Sequence, residues 1–120
     1  MTDLIAILTS EQGTGSYNHV KKLSEREEWS KIIIVTDNKN KVNFAHDKNL
    51  FVIEMDFTQP IDDLVRDLSG ELRKIITSHE VALNFVSGKG KEHMALISSI
   101  MKVGVGFRLI ACTRAGVEEI

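Results

Sequence analysis

A three-layer α/β domain, with a parallel sheet of about five strands and helices on both faces, is predicted by three features of the sequence. The first is a set of short apolar runs, often β-branched, at residues 4–8 (LIAIL), 32–35 (IIIV), 50–55 (LFVIEM), 81–86 (VALNFV) and 107–112 (FRLIAC). The second is that several of these are apolar at consecutive positions, as expected of strands covered on both faces. The third is helical periodicity in the intervals between them. Strands that alternate with helices imply right-handed parallel crossovers, and no linker or internal repeat interrupts the order β-α-β-(loop)-β-α-β-α-β. Residues 1–120 therefore read as a single Rossmann-like domain.

The elements follow in order. The run at 4–8 opens the sheet. A helix over about 18–28 rests on Val20 and Leu23, with Trp29 closing it. The strand at 32–35 leads into residues 39–49, polar apart from Val42, Phe44 and Ala45, which form either a long connection or a short extra strand. After the strand at 50–55, Thr58 is placed to cap a helix with Pro60 in its first turn. Ile61, Leu64, Val65, Leu68, Leu72, Ile75 and Ile76 then recur at helical spacing, with Gly70 on the polar side. The strand at 81–86 is followed by a helix over 91–103 that carries Met94, Ala95, Ile97, Ile100 and Met101 inward. Gly104 is its natural stop. The final run, at 107–112, ends in Cys112.

Composition narrows the class of partner. Fifteen Lys and Arg against seventeen Asp and Glu give a net charge of −2, which argues against extended nucleic-acid binding. The lone Cys112 cannot form an internal disulfide, and with no adjacent base it reads as a small apolar residue. No apolar run approaches the roughly 18 residues that span a bilayer, and Met1 leads directly into a strand, so a cytoplasmic setting with no membrane partner is expected. HExxH, CxxC and clustered carboxylate pairs are missing, so neither a metal nor a cofactor is expected. His46 and His79 have no neighbours in sequence that would make them ligands.

In an open parallel sheet, ligands bind beyond the carboxyl ends of the strands, near the point where strand order reverses. That rule selects the loops at 9–17, 36–41 and 87–93. The first, TSEQGTGSY, offers Thr9, Ser10 and Ser16 to a ligand, but its Gly13 and Gly15 lack the third glycine of a dinucleotide fingerprint because Asn18 stands there; Asp37 is at about the spacing of the expected acid. The third is the most informative. Ser87, Gly88, Lys89, Gly90 and Lys91 form a Gly- and Lys-rich strand-to-helix turn, suited to holding phosphate oxygens through backbone N–H groups and ammonium groups. A solvated turn with ordinary surface lysines is the other reading. Over the three loops, four lysines (39, 41, 89, 91) oppose three acids (11, 37, 92), a slight positive bias. His19 and His93 fall at expected helix starts, where the dipole favours a neutral imidazole able to accept a proton.

Asn84-Phe85-Val86-Ser87-Gly88-Lys89-Gly90-Lys91, followed by Met94 in a helix, resembles the signature of CARF domains, the CRISPR-associated Rossmann fold, whose usual form is Asn-Leu-Thr-Gly-Gly-Thr-Lys before a Met-containing helix. Thr9 and Ser10 fit the other ligand-contacting loop of that family. The resemblance implies a homodimer whose paired loops bind a cyclic oligoadenylate, a small anionic nucleotide ligand, and that sequesters it, binds a separate effector protein, or cleaves the ring. Cleavage of this kind uses a ribose 2′-hydroxyl and no metal. Ser10, Lys91 and His93 are then the candidate catalytic residues, with Thr9, Ser10, Ser16, Ser87, Gly88, Lys89, Gly90 and Lys91 as candidate ligand contacts. A homodimer is also expected from the wide apolar arc of the last helix, where Leu96 and Val103 join Ile97, Ile100 and Met101. The alternative is a non-catalytic protein-interaction module on the same fold.

Overall fold

The computed structural model describes residues 2–11, 14–26, 29–44 and 49–120. Gly13, His46 and the rest of residues 45–48 lie outside the described residues, as do Glu27 and Glu28 at the end of the expected first helix. The chain forms strand β1 (Thr2–Leu8), helix α1 (Thr14–Ser24), β2 (Trp29–Thr36), β3 (Leu50–Glu54), α2 (Ile61–Ile75), β4 (Glu80–Asn84), α3 (Gly90–Val103), β5 (Gly106–Thr113) and β6 (Gly116–Glu119). The six strands make one sheet in the order β3-β2-β1-β4-β5-β6. All neighbouring pairs are parallel except β5 and β6, which pair antiparallel.

The apolar runs of the central strands are buried against helices, whereas the runs in β3 and β5 are buried only in part. Ile5, Ile7, Ile33 and Val35 cluster with Leu64, Leu68 and Leu72 of α2 and with Ala95, Leu96 and Ile100 of α3. Leu4, Ala6, Leu8, Ile32 and Ile34 cluster with Val20 and Leu23 of α1. Consecutive apolar positions in β1 and β2 are thus all used. Among the described residues, no helix is long and apolar enough to cross a membrane.

Four expectations are corrected. The first helix begins at Thr14 and ends at Ser24; Trp29 belongs to β2, where its indole Nε1 donates to the Leu23 carbonyl at 2.6 Å and ties the strand back to the helix end. Thr58 does not cap α2. Its N–H and hydroxyl both donate to Asp56 Oδ1, leaving Pro60 at the N-cap. Met94 and Met101 do not face inward, being 62% and 69% exposed, while Leu96 and Ser99 are buried in their place. Finally, β6 adds a sixth strand, too short and polar (GVEE) to show an apolar signal. The stretch at 39–49 resolves in part as a 3-10 turn over Lys39–Lys41. At the end of α3, Gly104 takes φ 88°, the left-handed cap that glycine adopts without steric penalty.

Candidate functional site

From β1 the chain moves outward through β2 to β3, then returns to the other side of β1 as β4, so strand order reverses between β1 and β4. The loops that leave these two strands are bonded to each other: the Thr9 N–H donates to Ser87 Oγ at 3.0 Å. The loop after β2 joins them, because Ser10 donates its N–H to Asp37 Oδ1 at 2.8 Å and its hydroxyl to Asp37 Oδ2 at 2.9 Å. A hydroxyl whose proton is given to a carboxylate has its lone pairs directed elsewhere, so Ser10 can accept a hydrogen bond from a ligand hydroxyl.

The β4 turn is fixed from behind. Gly88 adopts φ 100°, and a Cβ there would lie 3.1 Å from Ile7 Cγ2 and 3.2 Å from His93 Nε2. His93 donates Nε2–H to the Ser87 carbonyl at 2.8 Å, and its ring packs against Phe85 with centroids 4.8 Å apart. Glu92, buried in the first turn of α3, accepts the Lys89 N–H at 3.3 Å. These contacts hold the turn so that its lysines face the loop after β1.

A cavity of about 300 Å³ opens there, lined by Thr9, Lys89, Lys91 and four carboxylates, those of Glu11, Asp37, Asp56 and Glu92. Thr9 Oγ1 is buried and, among the described residues, has no hydrogen-bond partner. Lys89 Nζ lies 3.3 Å from Glu11 Oε2, both side chains being largely exposed. Such a pair is worth little and can be exchanged for another anion. The two hydrogen bonds from Thr58 hold the Asp56 carboxyl below the usual carboxylate range, with a smaller contribution from nearby Lys91.

The structure thus brings Thr9, Lys89 and Lys91 to one cavity, sets Ser10, Ser87 and Gly88 in the loops that shape it, and makes Gly90 the first residue of α3. Ser16, in α1, and His93, behind the turn, do not line it. The slight positive bias expected of the loops is reversed, with four carboxylates against two ammonium groups. Asp56, from the end of β3, joins the cavity, whereas Lys39 and Lys41 do not line it.

His19 lies within α1 and not at its start. Its Nε2 accepts the Cys112 N–H at 3.1 Å and is 3.3 Å from Asn84 Nδ2. Burial, and secondarily Lys22, lowers its pKa, in keeping with a neutral ring that accepts at Nε2. Asn84 also donates to the Ile110 carbonyl and accepts the Val86 N–H, so it ties the diverging ends of β4 and β5. Among the described residues, no group of three or more His, Cys, Asp or Glu could hold a metal ion. No protein-family model matches the chain, and no curated protein matches it.

Proposed function

We propose that the chain is a Rossmann-like three-layer domain that binds a phosphate-bearing nucleotide at the cavity between β1 and β4. The layering is supported by β1, whose Ile5 and Ile7 join the α2–α3 cluster while Leu4, Ala6 and Leu8 join the α1 cluster. The observation that carries the ligand reading is the unpartnered Thr9 hydroxyl, buried beside two lysines and the first turn of a helix. A buried hydroxyl without a partner is unfavourable, and a phosphate oxygen would supply an acceptor. Four carboxylates make a run of phosphates unfavourable, so each cavity takes one phosphate group.

A cyclic oligoadenylate, as the CARF resemblance implies, is the ligand we propose, in a cytoplasmic setting. For metal-independent ring cleavage, the ribose 2′-oxygen attacks the adjacent phosphorus and the bond from phosphorus to the 5′-oxygen breaks. The products are a 2′,3′-cyclic phosphate and a 5′-hydroxyl, the proton leaving the 2′-oxygen and one joining the 5′-oxygen. Ser10 would orient the attacking hydroxyl and Lys91 would stabilise charge on the phosphorane. His93 can reach the leaving oxygen through Nε2 only by releasing Ser87.

Calorimetry with cyclic tetra- and hexa-adenylate tests this reading. Lys89→Ala and Lys91→Ala should each weaken binding by about 1–3 kcal/mol, and affinity should fall with salt. Ser10→Ala should bind nearly as the wild type does but turn over more slowly. No heat with either ligand discards the second-messenger reading, while binding without products retains a sensor that acts through a separate effector.

Exposed Met94 and Met101, one face of α3 two turns apart, favour a second copy docking on that helix. They also favour the reading of a protein-interaction module without a small ligand. Light scattering at micromolar concentration should return twice 13.4 kDa, and Met94→Lys with Met101→Lys should return the monomer mass. A wild-type mass of one chain rejects the dimer.

A further inference from the structure

The outer edge of β3 carries an inference that shares only Asp56 with the nucleotide site. β3 is the end strand of the sheet, and among the described residues β2 is its sole partner. The Ile32 N–H donates to the Asn49 carbonyl, and the Met55 N–H donates to the Thr36 carbonyl. These two bonds fix the parity of the strand. Residues 49, 51, 53 and 55 turn their backbone groups toward β2, so Leu50, Val52 and Glu54 turn theirs outward. End strands of natural sheets are commonly protected by lysine, proline or a bulge. This one, Leu-Phe-Val-Ile-Glu, has none of these and leaves Phe51 37% and Val52 38% exposed.

Beside that edge, between β3 and α2, runs a groove of about 780 Å³. Its carboxylates are Glu54, Asp56, Asp67 and Glu71. Its two cations are already engaged, Arg66 with Asp63 and Asp67, and Lys74 with Glu71. The groove therefore has an excess of negative charge. Where α2 passes along it, the helix carries Gly70, and a Cβ there would meet nothing within 4 Å. Alanine would fit the space and favour the helix, so glycine here leaves the groove wall without a methyl group at a small cost in helix stability.

We propose that β3 is a docking edge for an extended peptide of a partner protein, one that adds a strand beyond β3 and carries Lys or Arg between apolar residues. Main-chain hydrogen bonds to Leu50, Val52 and Glu54 supply affinity, apolar side chains on one face of the added strand cover Val52, and basic side chains on its other face meet the acidic groove beside Phe51.

Backbone amide spectra of ¹⁵N-labelled protein, titrated with acetyl-(Lys-Val)₃-amide and with acetyl-(Glu-Val)₃-amide, test the proposal. The basic peptide should shift the amides of Leu50, Val52 and Glu54 and slow their hydrogen exchange, and the acidic peptide should not. Val52→Pro removes an outward N–H and should abolish these shifts while leaving the remaining spectrum in place. Gly70→Ala should weaken the response while raising the thermal midpoint, which keeps the test decisive even if the proline variant fails to fold. The proposal is overturned if the β3 amides do not respond at millimolar peptide, or if both peptides act equally. It is also overturned if those amides are already protected in a self-associated wild type, which would make a second copy the occupant.

Discussion

Gly88→Ala should destabilise the protein by about 2–4 kcal/mol, lowering the thermal midpoint by roughly 10 °C. Two effects add. A φ of 100° is strained for any residue with a Cβ, and that Cβ would press on Ile7 and on the His93 ring. Ile7 cannot give way because it is fully buried in the central strand, and His93 cannot because its Nε2 holds the Ser87 carbonyl. Gly104→Ala is the control. Its φ of 88° carries similar backbone strain, but nothing lies within 4 Å of the added methyl group, so it should cost about 1–2 kcal/mol. Equal losses in urea unfolding of the two variants would refute the close packing behind the turn. Gly88→Ala should also lose the proposed nucleotide binding, because the turn that presents Lys89 and Lys91 would shift.

The second large effect lies at the opposite end of the sheet. Asp3, near the start of β1, is 1% exposed; among the described residues neither carboxyl oxygen has a well-formed hydrogen bond, and the Ser78 hydroxyl and the Lys31 backbone give it only weak support. Burial raises its pKa above the ordinary 3.8, and the ammonium of Lys31 offsets this only in part. Lys31 is engaged elsewhere, bonding the Ile75 carbonyl at 2.6 Å and Thr77 Oγ1 at 2.9 Å. A carboxyl whose folded pKa is raised favours the folded state when protonated. Its contribution is therefore fully present below pH 3.8 and is lost as pH rises through 3.8 to the raised folded value. Each unit of that rise is worth about 1.4 kcal/mol at neutral pH. Asp3→Asn should accordingly be more stable than the wild type at pH 7, by about 1 kcal/mol or more, and should not show the decline above pH 4. Unfolding midpoints measured from pH 3 to 7 decide it; parallel curves for the two proteins would refute the uncompensated carboxylate.

The central strands β1, β2 and β4 were legible because burial at successive positions demands apolar residues there, a pattern visible without knowing the neighbours; β3 and β5 were legible from their apolar, β-branched and aromatic composition although most of their residues are not buried. The strand β6 was not, because an edge strand paired to one neighbour needs no apolar run, and Val117 alone packs on the core. Spacing read the inward face of α3 wrongly at Met94 and Met101: the buried arc is centred on Leu96 and Ser99, and Ser99 turns its hydroxyl back to the Ala95 carbonyl. At the site, Ser87, Gly88 and the two lysines were legible as a local turn. Their long-range partners were not. Asp37 bonds Ser10 across 27 residues, and Asp56 reaches the cavity from a strand end that strand-order reasoning leaves aside. The single signal for Asn84 as a hub was its being the one polar residue within the apolar run at 81–86.

The central position of β1 also governs how the chain can be assembled during synthesis. One neighbour, β2, follows closely, but the other, β4, brings Ser87 to Thr9 only after 78 residues have been added. At about 5–20 residues per second, one side of the first strand is without its partner for roughly 4–16 s. Over that interval the nascent chain presents an apolar strand, 4–8, with an unsatisfied backbone edge, which is the kind of segment that chaperones hold. The same arrangement makes closure of the sheet and formation of the β1–β4 cavity a single event, so no nascent chain ending before β4 can carry the site.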